Sequence, residues 1–346
     1  MAIIDVTRQL EPKAPPIGWD GKTLKQMLEE SERLFEETGH YRGLERMELK
    51  DSDPLHFEKL FSRVRGGMVS ARETAMNISA SPIVRELGEL CFALYTPEGD
   101  SVALSTGIIV HVHTMSDAIK WMIRNGYETN PGIRPGDIFA NNDPRIGDVH
   151  NADVQTFVPI FDPGGSGELI GWAGGVTHVL DIGATTPGGV PVGPVTRFED
   201  GLDLPCMKIG EDDELATWHM KRISQATRAP MYYLLDEKTR LSGCHLVREA
   251  VERVVLDEGL SAAELRAAAA AAKDAHPHEQ PSLEAISKQR LLASLDLSLR
   301  ETTLDKSLID LRTLEQLVAT ENKRLTDWQE GMDLKIAQVQ KTVLDS

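Results

Sequence analysis

Cysteine is scarce: the 346 residues include only Cys91, Cys206 and Cys244, far apart and without a CxxC spacing. An odd count at such distances excludes a disulfide framework and a thiolate zinc site, so each reads as a small buried residue in a reducing compartment. Positive charge is also short. Lys and Arg total 37 against 54 Asp and Glu, a formal net charge of −17, and no stretch gathers Lys and Arg into a stripe able to track a phosphate backbone. That argues against nucleic acid as a partner. Nowhere do about 18 apolar residues run together, as a membrane span requires. Met1 to Lys13 lacks a basic leader followed by an apolar core. The expectation is a soluble, cytoplasmic chain. The P-loop pattern GxxxxGK[ST], the GxSxG elbow and a GxGxxG following a strand are missing too. If ATP is consumed, another chain binds it.

What is present begins with helix patterning. From Gly21 to Tyr41, Leu24, Met27, Leu28, Leu34 and Phe35 recur at three- and four-residue spacing among charges, which marks an amphipathic helix. A second helix is expected from Ser52-Asp53-Pro54, a capping residue with proline in the first turn, with Phe57, Leu60, Phe61, Val64 and Met68 on one face and Pro82 beyond its end. Glu89–Tyr95 and Ser101–Ser105 flank Pro97-Glu98-Gly99-Asp100, the chemistry of a β-hairpin. Thr114–Asn125 reads as a further helix.

The middle of the chain is rich in glycine and proline: Pro135-Gly136-Asp137, Gly147, Pro163-Gly164-Gly165, Gly174-Gly175 and Pro187-Gly188-Gly189. Such punctuation predicts short strands, Val154–Phe161 and Leu169–Val176 among them, joined by loops around a site or by plain surface turns. Helices return at about Glu214–Arg228 and Asp236–Glu258. An alanine-rich run, Ala267–Ala272, leads to the linker His276–Pro281. Beyond it Leu304, Leu311, Val318, Leu325, Met332 and Val339 are spaced by seven, but Ser307, Glu321, Lys335 and Thr342 occupy companion core positions. A helix packed on its own chain or on a partner fits that pattern better than a long coiled coil. The fold class expected is α+β: a largely antiparallel sheet region flanked by helices, with a long helical C-terminal segment. The corresponding regions are a helical 1–87, a glycine- and proline-rich β region at 88–210, a helical 211–275 and an amphipathic helix region at 282–346.

One segment concentrates chemistry: Asn141-Asn142-Asp143-Pro144-Arg145-Ile146-Gly147-Asp148-Val149-His150-Asn151-Ala152-Asp153, just before the Val154 strand. His150 and Asp153 stand three apart on the loop. A second piece, Gly174 to Gly183, ends an apolar strand at His178, with Asp181 three residues later. If the two strands pair as a hairpin around Pro163–Gly167, His150, Asp153 and His178 meet at its open end. Two imidazoles and one carboxylate suit manganese, iron or zinc and leave coordination positions for a substrate oxygen. Asp148 and Asp181 are candidate outer partners that orient a histidine. The competing reading is a structural histidine at a strand end. His111 and His113, two apart on what reads as an extended segment, share one face and are either a second ligand pair or, preferably, a polar face. No residue is assigned as general acid, base or nucleophile.

The segments Asn141–Asp153 and Leu169–Gly183 resemble the hydantoinase B/oxoprolinase family, and within it the acetone carboxylase branch. The likeness runs from about Thr23 to Gly259 through Leu60-Phe61-Ser62-Arg63, Ala80-Ser81-Pro82-Ile83-Val84, Ser105-Thr106-Gly107-Ile108 and Leu234-Leu235-Asp236-Glu237-Lys238-Thr239-Arg240. The resemblance implies manganese held by His150, Asp153 and His178. It further implies a reaction in which bicarbonate and the enol of a small ketone are activated by phosphoryl transfer from ATP and joined to give a 3-oxo acid. ATP would sit on a partner subunit of the hydantoinase A type, often with a small third subunit. The family's members continue for several hundred residues past the matched region, which implies a split subunit completed by a separate chain, a truncated relative or a fusion. Two other readings stand beside ketone carboxylation: ATP-dependent hydrolysis of a cyclic amide such as a hydantoin or oxoproline, and a non-catalytic assembly subunit.

Overall fold

The computed structural model of the chain describes residues 16–39, 52–105, 107, 110–190 and 196–259. The alanine-rich run, the linker at 276–281, the seven-residue repeat and the 282–346 region therefore lie outside the described residues.

Helix α1 spans Leu24–Thr38 and starts in a reciprocal capping box, Thr23 with Gln26. That arrangement satisfies two of the N–H groups a helix start leaves without partners. Its apolar stripe buries Leu24, Met27 and Leu28. Helix α2, Pro54–Ile78, is capped by Asp53, whose side chain accepts the amide of His56, and buries Phe57, Leu60, Val64 and Met68. One turn of helix, α3 (Pro82–Arg85), leads into the sheet.

Strands β1 (Leu90–Tyr95) and β2 (Ser101–Leu104) form the expected hairpin, closed by the amide of Gly99 donating to the carbonyl of Thr96. Helix α4 follows at Val110–Arg124, and then β3 at Ile138–Asn141. The central hairpin is β4 (Asp153–Phe161) and β5 (Leu169–His178). Three strands were not foreseen from the sequence: β3 and, extending the sheet beyond it, β6 (Met207–Glu211) and β7 (Glu214–Leu215). Glu214 and Leu215 thus pair as a strand, and the helix expected from Glu214 begins later, as α5 at Thr217–Ala226. The last described element, α6, runs Pro230–Asp257, six residues earlier at its start than the pattern implied because Pro230 opens its first turn. All pairings are antiparallel, in the order β2-β1-β5-β4-β3-β6-β7.

Side chains alternate across a strand, and both faces of this sheet are covered. Phe92 and Leu94 point into a core with α2 and α6, through Leu60, Val64, Val247 and Val251. Cys91, Ala93 and Tyr95 point the other way, into a core with α1 and α4 that holds Met27, Met115, Ile119 and Trp172. This two-sided burial explains why β1 is wholly apolar and β5 is apolar or small as far as Val176. A third cluster, with Ile138, Val154, Ile182, Leu204, Ile209 and Ile223, closes the β3–β6 end. Close approach on the α6 side depends on glycine. A Cβ on Gly243 would lie 2.1 Å from Cζ of Phe92, and one on Gly175 would lie 2.6 Å from its Cε1.

Candidate metal centre

The antiparallel register of β4 and β5 sets Asp153 directly opposite His178. Both stand at the open end of the hairpin, where β1 begins, and the amide of His178 donates to the carbonyl of Glu89. A turn closed by the Asp153 amide on the carbonyl of His150 folds His150 back over the pair. The imidazole Nε2 of His150 lies 3.4 Å from Oδ2 of Asp153. The His150 and His178 rings meet edge-on, 5.1 Å between centroids. One donor atom from each of the three falls within 4.8 Å of the other two.

The polar residues before this turn build the loop. Asn142 donates from Nδ2 to the carbonyls of Asn151 and Leu202, and its Oδ1 accepts the amide of Leu204. Asn141 accepts the amides of Asp143 and Cys206 and donates to Gln155. Asp143 caps the short turn Pro144–Ile146 and is chelated by Arg145. Buried side-chain amides that satisfy backbone groups in this way fix an irregular segment without secondary structure.

His111 and His113 depart from the extended reading. Both lie in the first turn of α4, where a separation of two residues turns a side chain by roughly 200°. His111 is buried and His113 is exposed. Nε2 of His111 approaches Oδ2 of Asp153 at 3.9 Å, and His111, Asp148 and Asp153 form a second set whose donor atoms lie within 4.8 Å of one another. The Oδ1 atom of Asp148 accepts the Val149 amide and Nε2 of Gln155.

Asp181, expected to orient a histidine, does something else. Its carboxylate accepts the amides of Gly183, Gly188 and Arg228 and pairs with the Arg228 guanidinium. The loop it ties down brings Gly189 against His178, so close that a Cβ there would lie 2.5 Å from Cε1 of the ring. Asp181 therefore acts on the site through the backbone.

Burial dominates the electrostatics. It pushes the Asp148 carboxyl up to about 9, with the charges of Asp153 and Asp143 adding to the rise. Asp153 is pushed up to about 7 by burial and by Glu89, a half-buried carboxyl itself raised by burial. His111 and His178 are each lowered to about 4, by burial and then by neighbouring imidazole charge, and burial lowers His150. The groups thus favour neutral imidazoles, the form that donates a lone pair to a metal. The Nδ1 atoms of His111, His150 and His178 and the Oδ2 of Asp148 are buried without hydrogen-bond partners. Uncommitted buried donors of this kind fit a divalent cation, whose charge would also offset the desolvated carboxylates.

Behind the hairpin, α6 contributes an ion pair with no solvent exposure. Arg240 donates to Oγ1 of Thr177 at 2.6 Å, to Oγ1 of Thr156 at 3.1 Å and to Glu237 at 2.5 Å, while His219 lies 3.5 Å from Glu237. The guanidinium crosslinks β4 to β5 beside the strand ends that carry Asp153 and His178. Neither this role nor that of Glu89 was foreseen. The 3.6-residue pattern of α6 places Arg240 among its charges, and only the position of the helix over the sheet shows that the charge is buried.

A family model, hydantoinase B/oxoprolinase, matches residues 53–305. The acetone carboxylase alpha subunit of Xanthobacter autotrophicus is 50% identical over 242 residues, which cover 70% of this chain and 31% of that protein. The acetophenone carboxylase delta subunit of Aromatoleum aromaticum is 31% identical over 208 residues, 60% of this chain and 29% of that one. A nucleotide-free acetone carboxylase structure superposes with a TM-score of 0.70 at 45% identity, covering 81% of this chain and 33% of that chain. The ATP-dependent caprolactamase of Pseudomonas jessenii shares the fold at a TM-score of 0.51 and 21% identity, over 64% of this chain and 37% of that one. The chain spans about a third of the length of the two curated carboxylase subunits it matches. By the extent of the family match, the chain belongs to the hydantoinase B/oxoprolinase family.

Proposed function

We propose that this chain is the metal-binding part of an ATP-dependent ketone carboxylase, joining a small ketone such as acetone to bicarbonate to give a 3-oxo acid. The observation that supports this reading is the convergence of His150, Asp153 and His178 at the open end of β4 and β5. Likeness to two ketone carboxylase subunits supports the choice of reaction. His150, Asp153 and His178 would hold the ion, manganese by preference and iron or zinc as alternatives. A bound ion of this class supplies Lewis-acid polarisation of an oxygen.

The chain's own residues have defined tasks in this reading. Asp153 would hold the ion as its carboxylate, and the low proton affinity of His178 and His150 keeps both rings neutral. Asp181 holds the loop that fixes the His178 ring, and the Asn142 clamp holds the turn that carries His150. ATP is bound by a hydantoinase A-like partner subunit, and a small third subunit completes a cytoplasmic hetero-oligomer. Among the described residues, no helix is long and apolar enough to cross a membrane.

The test is reconstitution with the partner ATPase and measurement of labelled bicarbonate fixed into non-volatile acid. The expected result is fixation that requires both ATP and ketone and is lost in His178→Ala. ATP-dependent hydrolysis of a hydantoin, oxoproline or lactam without fixation would move the assignment to cyclic-amide hydrolysis. A complex that assembles and does neither would make this chain an assembly subunit.

A further inference from the structure

Asp153 and His178 occupy the last rung of the β4–β5 ladder, where pairing has the least support. Among the described residues, β3 pairs with β4 only as far as Gln155, so Asp153 and Val154 are held in the sheet by β5 alone. Strand ends open more readily than strand middles. An opening here would separate the two groups directly, because each is one side of the same rung.

On the reverse face of the sheet stands Arg240 of α6. Side chains alternate across a strand. Asp153 and His178 face α4, where His111 comes within 3.9 Å of Asp153, and Thr156 and Thr177 face α6. The guanidinium donates from Nη1 to Oγ1 of Thr177 at 2.6 Å and from Nε to Oγ1 of Thr156 at 3.1 Å. Thr177 immediately precedes His178 on β5, and Thr156 follows Asp153 by three residues on β4. The two bonds therefore form a diagonal staple behind the ligand rung. Nη2 is fixed by Glu237, one helical turn earlier, and Glu237 lies 3.5 Å from His219 of α5. Arg240, Glu237, His219, Thr156 and Thr177 all have no solvent exposure.

Stability alone does not account for a charge placed there. A buried ion pair costs desolvation, and apolar residues of similar volume often stabilise a fold as well or better. Apolar packing lacks direction. Two charge-assisted hydrogen bonds from one rigid planar group fix the position of one strand against the other. We propose that Arg240, acting through Thr156 and Thr177, is a positioning residue for the metal centre that holds Asp153 and His178 at ligand spacing from the opposite face of the sheet. The inference rests on the reading of His150, Asp153 and His178 as that centre.

The test is Mn²⁺ affinity of the full chain by isothermal titration, together with hydrogen exchange at the Val179 amide, which donates to the carbonyl of Ala152 just past the rung. Thr177→Val removes one arm of the staple and keeps all three ligands. It is expected to weaken Mn²⁺ binding ~10–100-fold, the scale of lost outer-shell support. Exchange at Val179 in the metal-free chain should quicken at least ~10-fold, as loss of a hydrogen bond to a charged group allows. Thr177→Ser keeps the hydroxyl and should restore both. Val247→Ala opens a cavity on the same helix, lowers stability and should leave the affinity near wild type. If Thr177→Val does not fold, Thr156→Val cuts the other arm and is read in the same way. Unchanged affinity in the valine variant, or an equal loss in Val247→Ala, overturns the positioning role and leaves the metal centre standing. A wild type that binds no Mn²⁺ overturns the metal reading and the positioning role with it.

Discussion

Asp153 and His178 are register partners at the last pair of the β4–β5 ladder, so the strand pairing itself sets the separation of the two groups. Rigid pairing pre-organises a ligand set in a way a loop cannot. The third member, His150, depends on a turn and its clamps, and the ring of His178 depends on the loop at Gly189.

Replacing Gly189 tests that last dependence. A methyl group there meets Cε1 of His178 at 2.5 Å and the carbonyl of Val179 at 2.8 Å. Gly189→Ala is expected to displace the ring and weaken Mn²⁺ affinity ~10–100-fold, the scale of lost outer-shell support. Isothermal titration measures it; unchanged affinity would show that the loop does not position His178.

The Arg240–Glu237 pair predicts a stability pattern. Removing one partner of a fully buried pair leaves the other charge uncompensated, at a cost of ~3–5 kcal/mol. Arg240→Met is expected to fall in that range by urea unfolding, and adding Glu237→Gln should restore part of the loss. A double variant no more stable than Arg240→Met would mean that the Thr156 and Thr177 hydrogen bonds, not the charge pair, carry the effect.

Asp236 gives a pH dependence away from the metal centre. Burial pushes its carboxyl from 3.8 up to about 6, against the hydrogen bond donated by Ser79. A folded-state value above the unfolded one means that the protonated acid is favoured in the fold. Its stabilising contribution is complete below pH ~4 and is lost as pH rises through ~6. Asp236→Asn mimics the protonated acid. It should match the wild type at pH 4 and exceed it at pH 8 by no more than ~3 kcal/mol. Denaturant unfolding at the two values checks this, and a variant less stable than wild type at pH 8 would reverse the sign.

How much of this was legible in the sequence depends on the range of the interaction. The starts of α1 and α2 were readable from Thr23 and Asp53-Pro54 because capping is local. The β1–β2 and β4–β5 hairpins were readable from turn residues between apolar runs, and with the second came the meeting of Asp153 and His178. Strands β3 and β6 pair across some 70 residues, and nothing local in Ile138–Asn141 marks that partner. His111 was misplaced because an HxH spacing reads as one face of a strand and as two faces of a helix. Asp181 was misread because a carboxylate three residues after a histidine looks like its partner, whereas unsatisfied amides nearby claim it first. The burial of Arg240 follows from tertiary packing alone.

Metal content of the purified chain, measured by elemental mass spectrometry for the wild type and for His150→Ala, Asp153→Ala and His178→Ala, tests the central claim most directly. The account predicts near-stoichiometric manganese, iron or zinc in the wild type, falling in each of the three variants while the fold is retained. A wild type without metal, even after assembly with its partner subunit and manganese reloading, would contradict it.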